Sequence, residues 1–457
     1  MSTDPHGTRL PIKLDTTSNG EFVPVPLTPA NREANRRAHE AAVRNAKRLD
    51  ISKRDFLVSA CGAASTLLAF NAANAAAGKT GGFFDVAADA ALDRQLARVQ
   101  VGAAKDEFIF DVQGHFIDTP KGNAKGPKVF IKDVFMDSDT DMMVLSFVPS
   151  TRDAEPVTIQ AADAVRRIVE KLEGTHRLLL HGRVNPNQAG DLETMDELKE
   201  RWGVSAWKTY TQYGPGGRGY FLTDDVGVRF VEKARALGVK VICIHKGLPF
   251  GQRSYEHSQC PDIGPIAKRF PDVKFLIYHS GFVSSLAEQP YDPDAKRDGI
   301  DTLVRSLLES GVKPGSNVYA ELGSTWRFLM RDPEQAAHAM GKLIRYCGED
   351  NVLWGTDSIW YGSPQDQIQA FRAFQIAPAL RAKHGYPEIT PALRAKIFGL
   401  NGARVYGLSA AEVKKFAVRD RVAREKAAYL ERPDPHFMTY GPKTRREFLS
   451  LLERGGA

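Results

Sequence analysis

Cysteine is scarce in this chain, and its spacing argues against two common kinds of site. The 457 residues contain four cysteines, and no two of them form a Cys-x-x-Cys pair. A disulfide framework and a cysteine zinc site are therefore not indicated. Long apolar runs are also missing, because the stretch at residues 58–77 is short and rich in alanine and glycine. Stable membrane insertion is therefore not expected.

Basic clusters and repeats are missing as well. The formal net charge is +7, but no run of lysine and arginine with interleaved aromatic residues occurs. Nucleic acid is therefore not an expected partner. No repeat of solenoid length is present. The whole chain has 42% hydrophobic and 26% charged residues, which is the composition of a soluble globular protein.

The first 77 residues are predicted to form an extension in front of the main domain. Residues 1–50 are polar and predict a flexible or loosely helical arm. A Lys-Arg pair at 53–54, a mild apolar stretch and small residues at 73–75 together resemble a twin-arginine export signal. This pattern predicts recognition by export machinery and a periplasmic or secreted protein. The alternative is an amphipathic helix that packs on the body of a cytoplasmic protein.

From residue 105 onwards, β-branched apolar runs alternate with helical stretches. Eight strands are predicted at residues 108–117, 141–149, 177–184, 204–213, 239–247, 273–281, 317–323 and 352–360. Six helices between them are predicted at residues 157–173, 191–201, 224–237, 264–270, 295–310 and 333–346. This α/β alternation predicts a (β/α)8 TIM barrel. A doubly wound sheet is disfavoured because no glycine-rich phosphate-binding turn follows the first strand.

The domain organisation follows from this pattern. The barrel is expected over residues 105–408, with a linker at 78–104 between it and the N-terminal extension. A C-terminal helical extension is expected over residues 409–457. Helices that pad the barrel are predicted at residues 365–380, 391–398, 403–406 and 410–430.

Chemically capable side chains gather at the carboxyl ends of the predicted strands. Gln113 and His115 share a face of the first strand, since residues two apart point the same way. His245, His279 and Asp357 stand at the ends of the fifth, sixth and eighth strands. Three histidines and an aspartate at a barrel mouth are typical of a divalent-metal site. The alternatives are a hydrogen-bonded core residue for each histidine and a helix N-cap for Asp357.

Other polar residues at strand ends are candidates for substrate binding. Arg183 and Lys208 could hold a substrate carboxylate, and Arg183 is better suited to a two-pronged grip. A second interpretation of Lys208 is carboxylation, which would bridge two metals. Glu321 is either a substrate-binding residue or a hydrogen-bonding partner of the site. His181 is predicted to be a core residue.

Six pieces of the sequence, in order, resemble the amidohydrolase superfamily. They are Asp111-x-Gln113-x-His115, Lys208, His245-Lys-Gly, His279-Ser-Gly, Gly355-Thr-Asp357 and residues 397–408. The resemblance is to the amidohydrolase-related branch, which includes aminocarboxymuconate-semialdehyde decarboxylase. It implies a barrel with one divalent ion, for which zinc is expected and manganese or iron are alternatives. It implies the metal ligands Gln113, His115, His245 and Asp357, and the catalytic residues His279 and Asp357.

The first-strand motif departs from the pattern of this family. Members usually carry His-x-His there, and some decarboxylases carry Glu-x-His, whereas this chain has Gln113 before His115. A neutral amide can bind a metal only through its carbonyl oxygen, and oxygen ligands tolerate Mn²⁺ better than nitrogen ligands do. Three interpretations stay open: three strong ligands hold the ion, Gln113 orients a water, or the site lacks a metal.

The expected function is that of a metal-dependent hydrolase. Its substrate would be a small carboxylated or ring-containing molecule, attacked by a water that the metal activates. The alternative within the same branch is non-oxidative decarboxylation. A third possibility, from another class, is an exported binding barrel without a metal. The sequence leaves open whether the protein forms a homo-oligomer.

Overall fold

The centre of the molecule is an eight-stranded parallel sheet. The computed structural model describes residues 9–104, 107–116, 126–171, 176–249, 255–418 and 421–454. The strands, β1 to β8 in chain order, are Phe110–Gly114, Met142–Leu145, Leu178–Arg183, Ala206–Tyr210, Val241–His245, Lys274–Tyr278, Val318–Glu321 and Val352–Leu353. Each strand lies within the run predicted for it. The predicted end of the first run, residue 117, falls outside the described residues.

The sheet closes on itself through the first and last strands. The Val112 N–H donates to the Trp354 carbonyl at 3.0 Å, and the Asp357 N–H donates to the Gln113 carbonyl at 2.9 Å. Gly114 and Ser358 form a parallel bridge between the same two segments. The closed parallel sheet confirms the predicted TIM barrel.

The sequence of β5 illustrates why these strands were recognisable. Its residues are Val-Ile-Cys-Ile-His, and all five are buried. A parallel strand is covered on both faces by the barrel interior and the outer helices, so it is apolar throughout rather than alternating. The polar residue, His245, comes only at the carboxyl end, where the strand opens into the mouth of the barrel.

Helices surround the barrel. Between the strands they are Pro127–Ile131, Ile159–Glu170, Met195–Glu200, Asp225–Ala236, Tyr255–Ser258, Ile263–Arg269, Ile300–Ser310, Thr325–Leu329 and Pro333–Cys347. After β8 they are Gln365–Ala373, Pro378–His384, Pro391–Ala395, Asn401–Tyr406, Ala410–Val418, Arg421–Tyr429 and Arg445–Arg454. Each of the six helices predicted between strands overlaps an observed helix. Part of the first, residues 172–173, lies outside the described residues.

The prediction of one continuous helix over residues 365–380 is wrong. The chain leaves the helical path at Phe374–Ile376 and pairs antiparallel with Gly82–Phe84. The sheet partner comes from the stretch that was predicted as a linker, so a local pattern could not indicate it. That stretch also carries the helix Arg94–Val101.

Residues 9–50 do not form the flexible or loosely helical arm that was predicted from their polarity, and residues 1–8 lie outside the described residues. Pro29–Arg48 forms a 20-residue helix that packs against a second helix, Ala60–Ala76. The first helix buries alanines at 34, 38, 42 and 46. Residues four apart lie on one face, and alanine lets two helices approach closely, so a polar helix can still pack tightly.

The short helix Lys53–Val58 precedes the second of these helices. Among the described residues, no helix combines the length and the apolar character needed to cross a membrane. The export signal predicted in this region stays a prediction.

Residues 9–27 run as an extended segment, here called the N-terminal segment, before the first helix. The Arg327 guanidinium donates to the Lys13 carbonyl and, at 3.0 Å, to the Asp15 carboxylate. The Ser18 N–H donates to the Pro442 carbonyl at 2.8 Å. The segment is therefore held between the barrel and the C-terminal extension.

Candidate metal centre

Six buried polar side chains converge where the N-terminal segment meets the carboxyl ends of the strands. They are Glu21, Gln113, His115, His245, His279 and Asp357. Five of them were predicted from the sequence to belong to the site. Their contacts with one another define what the site can bind.

His279 follows β6 and is oriented by its backbone partners. Its Nδ1 lies 2.6 Å from the Gly323 carbonyl, so Nδ1 carries the proton and donates it. The lone pair on Nε2 is then directed into the cluster, 3.2 Å from His245 Nδ1. Burial lowers the pKa of His279 to about 4, so the ring is neutral near pH 7. A neutral imidazole fixed through its other nitrogen is the form that binds metals.

Several donors hold the Asp357 carboxylate in place. Its Oδ1 lies 3.1 Å from His115 Nε2 and accepts from Gln113 Nε2 at 3.0 Å. The Ser324 hydroxyl also donates to this carboxylate. Burial alone would raise the pKa of Asp357, but its interactions with His115, His279 and Ser324 outweigh this effect and hold that pKa well below its usual range. The carboxylate is therefore ionised.

Two residues of the N-terminal segment enter the site, and sequence reasoning missed both. The Asn19 amide donates to Asp357 Oδ2 at 2.7 Å. Glu21 Oε1 lies 3.5 Å from His245 Nδ1, and Glu21 Oε2 lies 3.8 Å from His279 Nε2. Burial raises the pKa of Glu21 well above its usual range, and the nearby charge of Asp357 adds to the effect. The only local signal was an Asn-Gly turn at 19–20.

The donors present fit a divalent metal ion. Glu21, His245 and His279 each offer a ligand atom, and these atoms lie within 4.8 Å of one another. One carboxylate and two imidazoles are suitable ligands for Zn²⁺, Mn²⁺ or Fe²⁺. Gln113 Oε1 and His115 Nδ1 are buried, and among the described residues neither has a hydrogen-bonding partner. A cation would satisfy such acceptors. The predicted ligand set of Gln113, His115, His245 and Asp357 stays a prediction.

Glu321, at the end of β7, holds the backbone around the cluster. Its carboxylate accepts the His279 N–H at 3.0 Å and the Gly323 N–H at 2.6 Å. Burial raises the pKa of Glu321 to about 8. A side chain at Gly355 would place its Cβ 1.6 Å from Glu321 Oε1, so only glycine fits there. This geometry agrees with the hydrogen-bonding interpretation of Glu321 rather than the substrate-binding one.

The sequence matches one known protein family over the barrel. A family model described as Amidohydrolase matches residues 110–408, which is more than half of the chain and covers the whole barrel. The chain belongs to the amidohydrolase family. The resemblance inferred from the sequence motifs is thereby confirmed. Members of this family are metal-dependent enzymes. No curated protein matches the chain.

Several solved structures have some similarity to this amidohydrolase. A 5-carboxyvanillate decarboxylase from Sphingomonas paucimobilis is 12% identical, with 66% of this chain and 100% of that chain covered and a TM-score of 0.40. A 2,6-dihydroxybenzoate decarboxylase from Rhizobium is 16% identical, with 66% and 99% covered and a TM-score of 0.40. A zinc-bound amidohydrolase from Burkholderia multivorans is 15% identical, with 66% and 100% covered and a TM-score of 0.42. Because these values are low, the family assignment rests on the sequence match.

The two cations predicted to bind substrate in this amidohydrolase have different surroundings. Lys208 Nζ is buried 3.9 Å from the centre of the Tyr278 ring, and burial lowers the pKa of the amine to about 8. Among the described residues no acceptor lies within hydrogen-bonding distance of this nitrogen. The Arg183 guanidinium instead pairs with Glu155 at 2.6 Å and Asp191 at 3.1 Å, outside the cluster. The structure therefore does not bring Arg183 to the site.

His181 has the core position predicted for it. Its Nδ1 lies 3.0 Å from the Ser146 hydroxyl, and its Nε2 lies 3.3 Å from the Tyr406 hydroxyl. Burial lowers its pKa well below the usual range, so the ring is neutral. This amidohydrolase thus has one strand-end histidine in a hydrogen-bonded core and three in the cluster.

Proposed function

We propose that this amidohydrolase is a metal-dependent hydrolase of small carboxylated or ring-containing molecules. The observation that carries the proposal is the position of an ionised carboxylate, Asp357, and a neutral imidazole, His279, beside one set of metal donors. When bound, a divalent ion would lower the pKa of a water molecule and polarise a substrate carbonyl. The protein would supply the groups that move protons and orient the substrate.

Asp357 is the residue proposed to take a proton from the attacking water. It is ionised, and its oxygens are held by donors from Gln113, Ser324 and Asn19, so its orientation is fixed. A base must lie within hydrogen-bonding reach of its proton, and a fixed carboxylate meets that requirement better than a mobile one. His279 presents an unprotonated Nε2 to the same space, so it can accept that proton from Asp357 and then pass it to the leaving group.

Lys208 is the residue proposed to recognise a substrate carboxylate. Its ammonium lies in a buried position near the rings of Tyr278 and Tyr210, at 3.9 and 4.6 Å from the ring centres. A buried cation without an acceptor among the described residues would gain strongly from an anionic group. Arg183, the other candidate, already has two carboxylates. We therefore assign the substrate carboxylate to Lys208 alone.

Non-oxidative decarboxylation is the second candidate. It is favoured by the pairing of an anion-binding lysine with a neutral histidine. Lys208 could hold a ring carboxylate, while His279 Nε2 takes up a proton from a water molecule and delivers it to the carbon that loses CO₂. The metal-free binding barrel is the third candidate, and the neutral side chain of Gln113 is the feature that favours it.

Two measurements on the purified full chain test these alternatives. After loading with Zn²⁺ or Mn²⁺, we expect about one ion per chain, and fewer than about 0.3 would overturn the metal-dependent mechanism. The loaded protein is then incubated with a panel of aromatic and unsaturated carboxylic acids, their esters and lactones. Release of acid without CO₂ supports the hydrolase, whereas release of CO₂ supports the decarboxylase. Asp357→Asn serves as the inactive control.

A further inference from the structure

We propose that Glu21 is a metal ligand that the N-terminal segment carries into the barrel, where it supplies the anionic donor that Gln113 cannot. This inference rests on the proposed function, because it requires that the cluster hold a divalent ion. The family model matches residues 110–408, so Glu21 lies outside the matched region. The inference therefore makes a segment outside that region part of the metal site.

The distances around Glu21 suit a shared ion. Two ligand atoms bound to one ion at about 2.1 Å in tetrahedral geometry lie about 3.4 Å apart. The carboxylate oxygens of Glu21 lie 3.5 Å from His245 Nδ1 and 3.8 Å from His279 Nε2. The two imidazole nitrogens lie 3.2 Å apart. A small contraction of the first distance would bring Glu21 and His245 onto one ion, with His279 Nε2 beside it and free to carry a proton.

The charges of the cluster also favour an ion at this point. Gln113 places a neutral amide where a carboxylate or an imidazole would strengthen the site, and its Nε2 is 3.5 Å from His279 Nε2. Glu21 adds a carboxylate beside His245 and His279. The Asn19 amide donates to both Glu21 and Asp357 and holds the two acids side by side. Two buried acids brought together in this way are stabilised by a divalent cation.

The turn at residues 18–22 positions Glu21. Gly20 has a φ of +88°, a left-handed conformation that favours glycine. The Gly20 N–H donates to Ser18 Oγ, and the Glu21 N–H donates to Asn19 Oδ1, each at 2.9 Å. Phe22 then packs edge-on against Phe328 with ring centres 4.6 Å apart. The Glu21 side chain is therefore presented by a fixed turn rather than by a loose strand.

The test compares the metal affinity of the full chain with that of Glu21→Gln, which keeps the size of the side chain and removes its charge. Affinity for Zn²⁺ is measured by competition with a coloured chelator, and the absorption of the Co²⁺-loaded protein reports on the ligands. We expect at least about a tenfold loss of Zn²⁺ affinity and an altered Co²⁺ spectrum. Glu40→Gln, which changes an exposed glutamate of the following helix, should match the wild type.

A second variant separates a lost ligand from a damaged segment. Glu21→Gln combined with Gln113→Glu returns a carboxylate to the cluster from β1, and we expect it to recover most of the lost affinity. A Glu21→Gln protein that binds Zn²⁺ as tightly as the wild type overturns this inference and leaves the proposed function standing. A loss that the double variant does not recover overturns it as well. A wild type that binds neither Zn²⁺ nor Mn²⁺ overturns the proposed function itself.

Discussion

The side-chain amide of Asn19 donates a 2.7 Å hydrogen bond to the carboxylate of Asp357, which lies 338 positions later in the chain. One partner belongs to the N-terminal segment and the other follows the last strand of the barrel. The bond therefore joins two parts of the molecule that the sequence keeps apart. It also makes the N-terminal segment a structural part of the site.

Replacement of Asn19 should cost more stability than replacement of a comparable asparagine with a neutral partner. Asn19→Ala removes a donor to an ionised carboxylate, so we expect a loss of about 1.5–3 kcal/mol in the free energy of unfolding. Asn35→Ala is the control, because its amide donates at 3.1 Å to the Leu14 carbonyl and should cost about 0.5–1.5 kcal/mol. Urea denaturation measures both values. Equal losses would show that the charge of Asp357 is unimportant.

Replacement of Gln113 by histidine should tighten metal binding. The change places an imidazole at this position, and a nitrogen donor binds Zn²⁺ better than an amide oxygen does. We expect at least about a tenfold gain in Zn²⁺ affinity by chelator competition. Gln335→His, on a helix outside the cluster, should leave the affinity unchanged. If Gln113→His binds Zn²⁺ no better than the parent protein, the metal site is placed wrongly.

Glu321 should be more important for its two acceptors than for its charge. Glu321→Ala leaves the buried N–H groups of His279 and Gly323 without their acceptor, and each unsatisfied donor costs about 1–3 kcal/mol. Glu321→Gln keeps one acceptor oxygen, so we expect its loss of unfolding free energy to be smaller. Thermal and urea denaturation compare the two variants. A glutamine variant as unstable as the alanine variant would contradict this account of Glu321.

Acid should loosen the N-terminal segment. Burial alone would raise the pKa of Asp15, but the Arg327 guanidinium and hydrogen bonds from Thr17 outweigh it and lower that pKa to about 2. A carboxylate with a lowered folded pKa stabilises the folded state above its unfolded pKa of about 3.9, and this contribution is lost as the pH falls towards about 2.

Amide hydrogen exchange can measure this effect. After correction for the intrinsic rates, residues 9–27 should lose protection between about pH 5 and about pH 3, while the strands of the barrel keep theirs. Asp15→Asn should show weaker protection at both pH values and a smaller change between them. Protection in the wild type that does not change over this range would contradict the assignment.

The barrel and most of the cluster could be predicted from the sequence because their signals are local. Strands such as Val241–His245 are apolar along their whole length and end in a polar residue. Parallel strands bring their carboxyl ends to one side of a barrel. The residues at or just beyond those ends were therefore enough to bring His115, His245, His279 and Asp357 together.

Other features depend on contacts that no local pattern encodes. Glu21 lies in a polar stretch without helical or strand periodicity, and its role depends on a docking site made by distant residues. The helix Pro29–Arg48 packs through alanines, which give only a weak hydrophobic signal. The carboxylates that pair with Arg183 come from the connections around β3 rather than from a strand end. The position of Arg183 at the end of a strand therefore could not show that its guanidinium is already paired.

The attachment of the N-terminal segment has a consequence for the order in which the molecule forms. Thr17 Oγ1 donates to Thr439 Oγ1 at 2.8 Å, and the Thr16 hydroxyl donates to the Lys443 carbonyl at 2.7 Å. Contacts between residues so far apart in sequence form late, because a long loop must close before they contribute. During synthesis on the ribosome, Glu21 is made well before its partners His245 and His279 and before the anchoring residues 439–443. The metal centre would therefore be completed only after the barrel itself is in place.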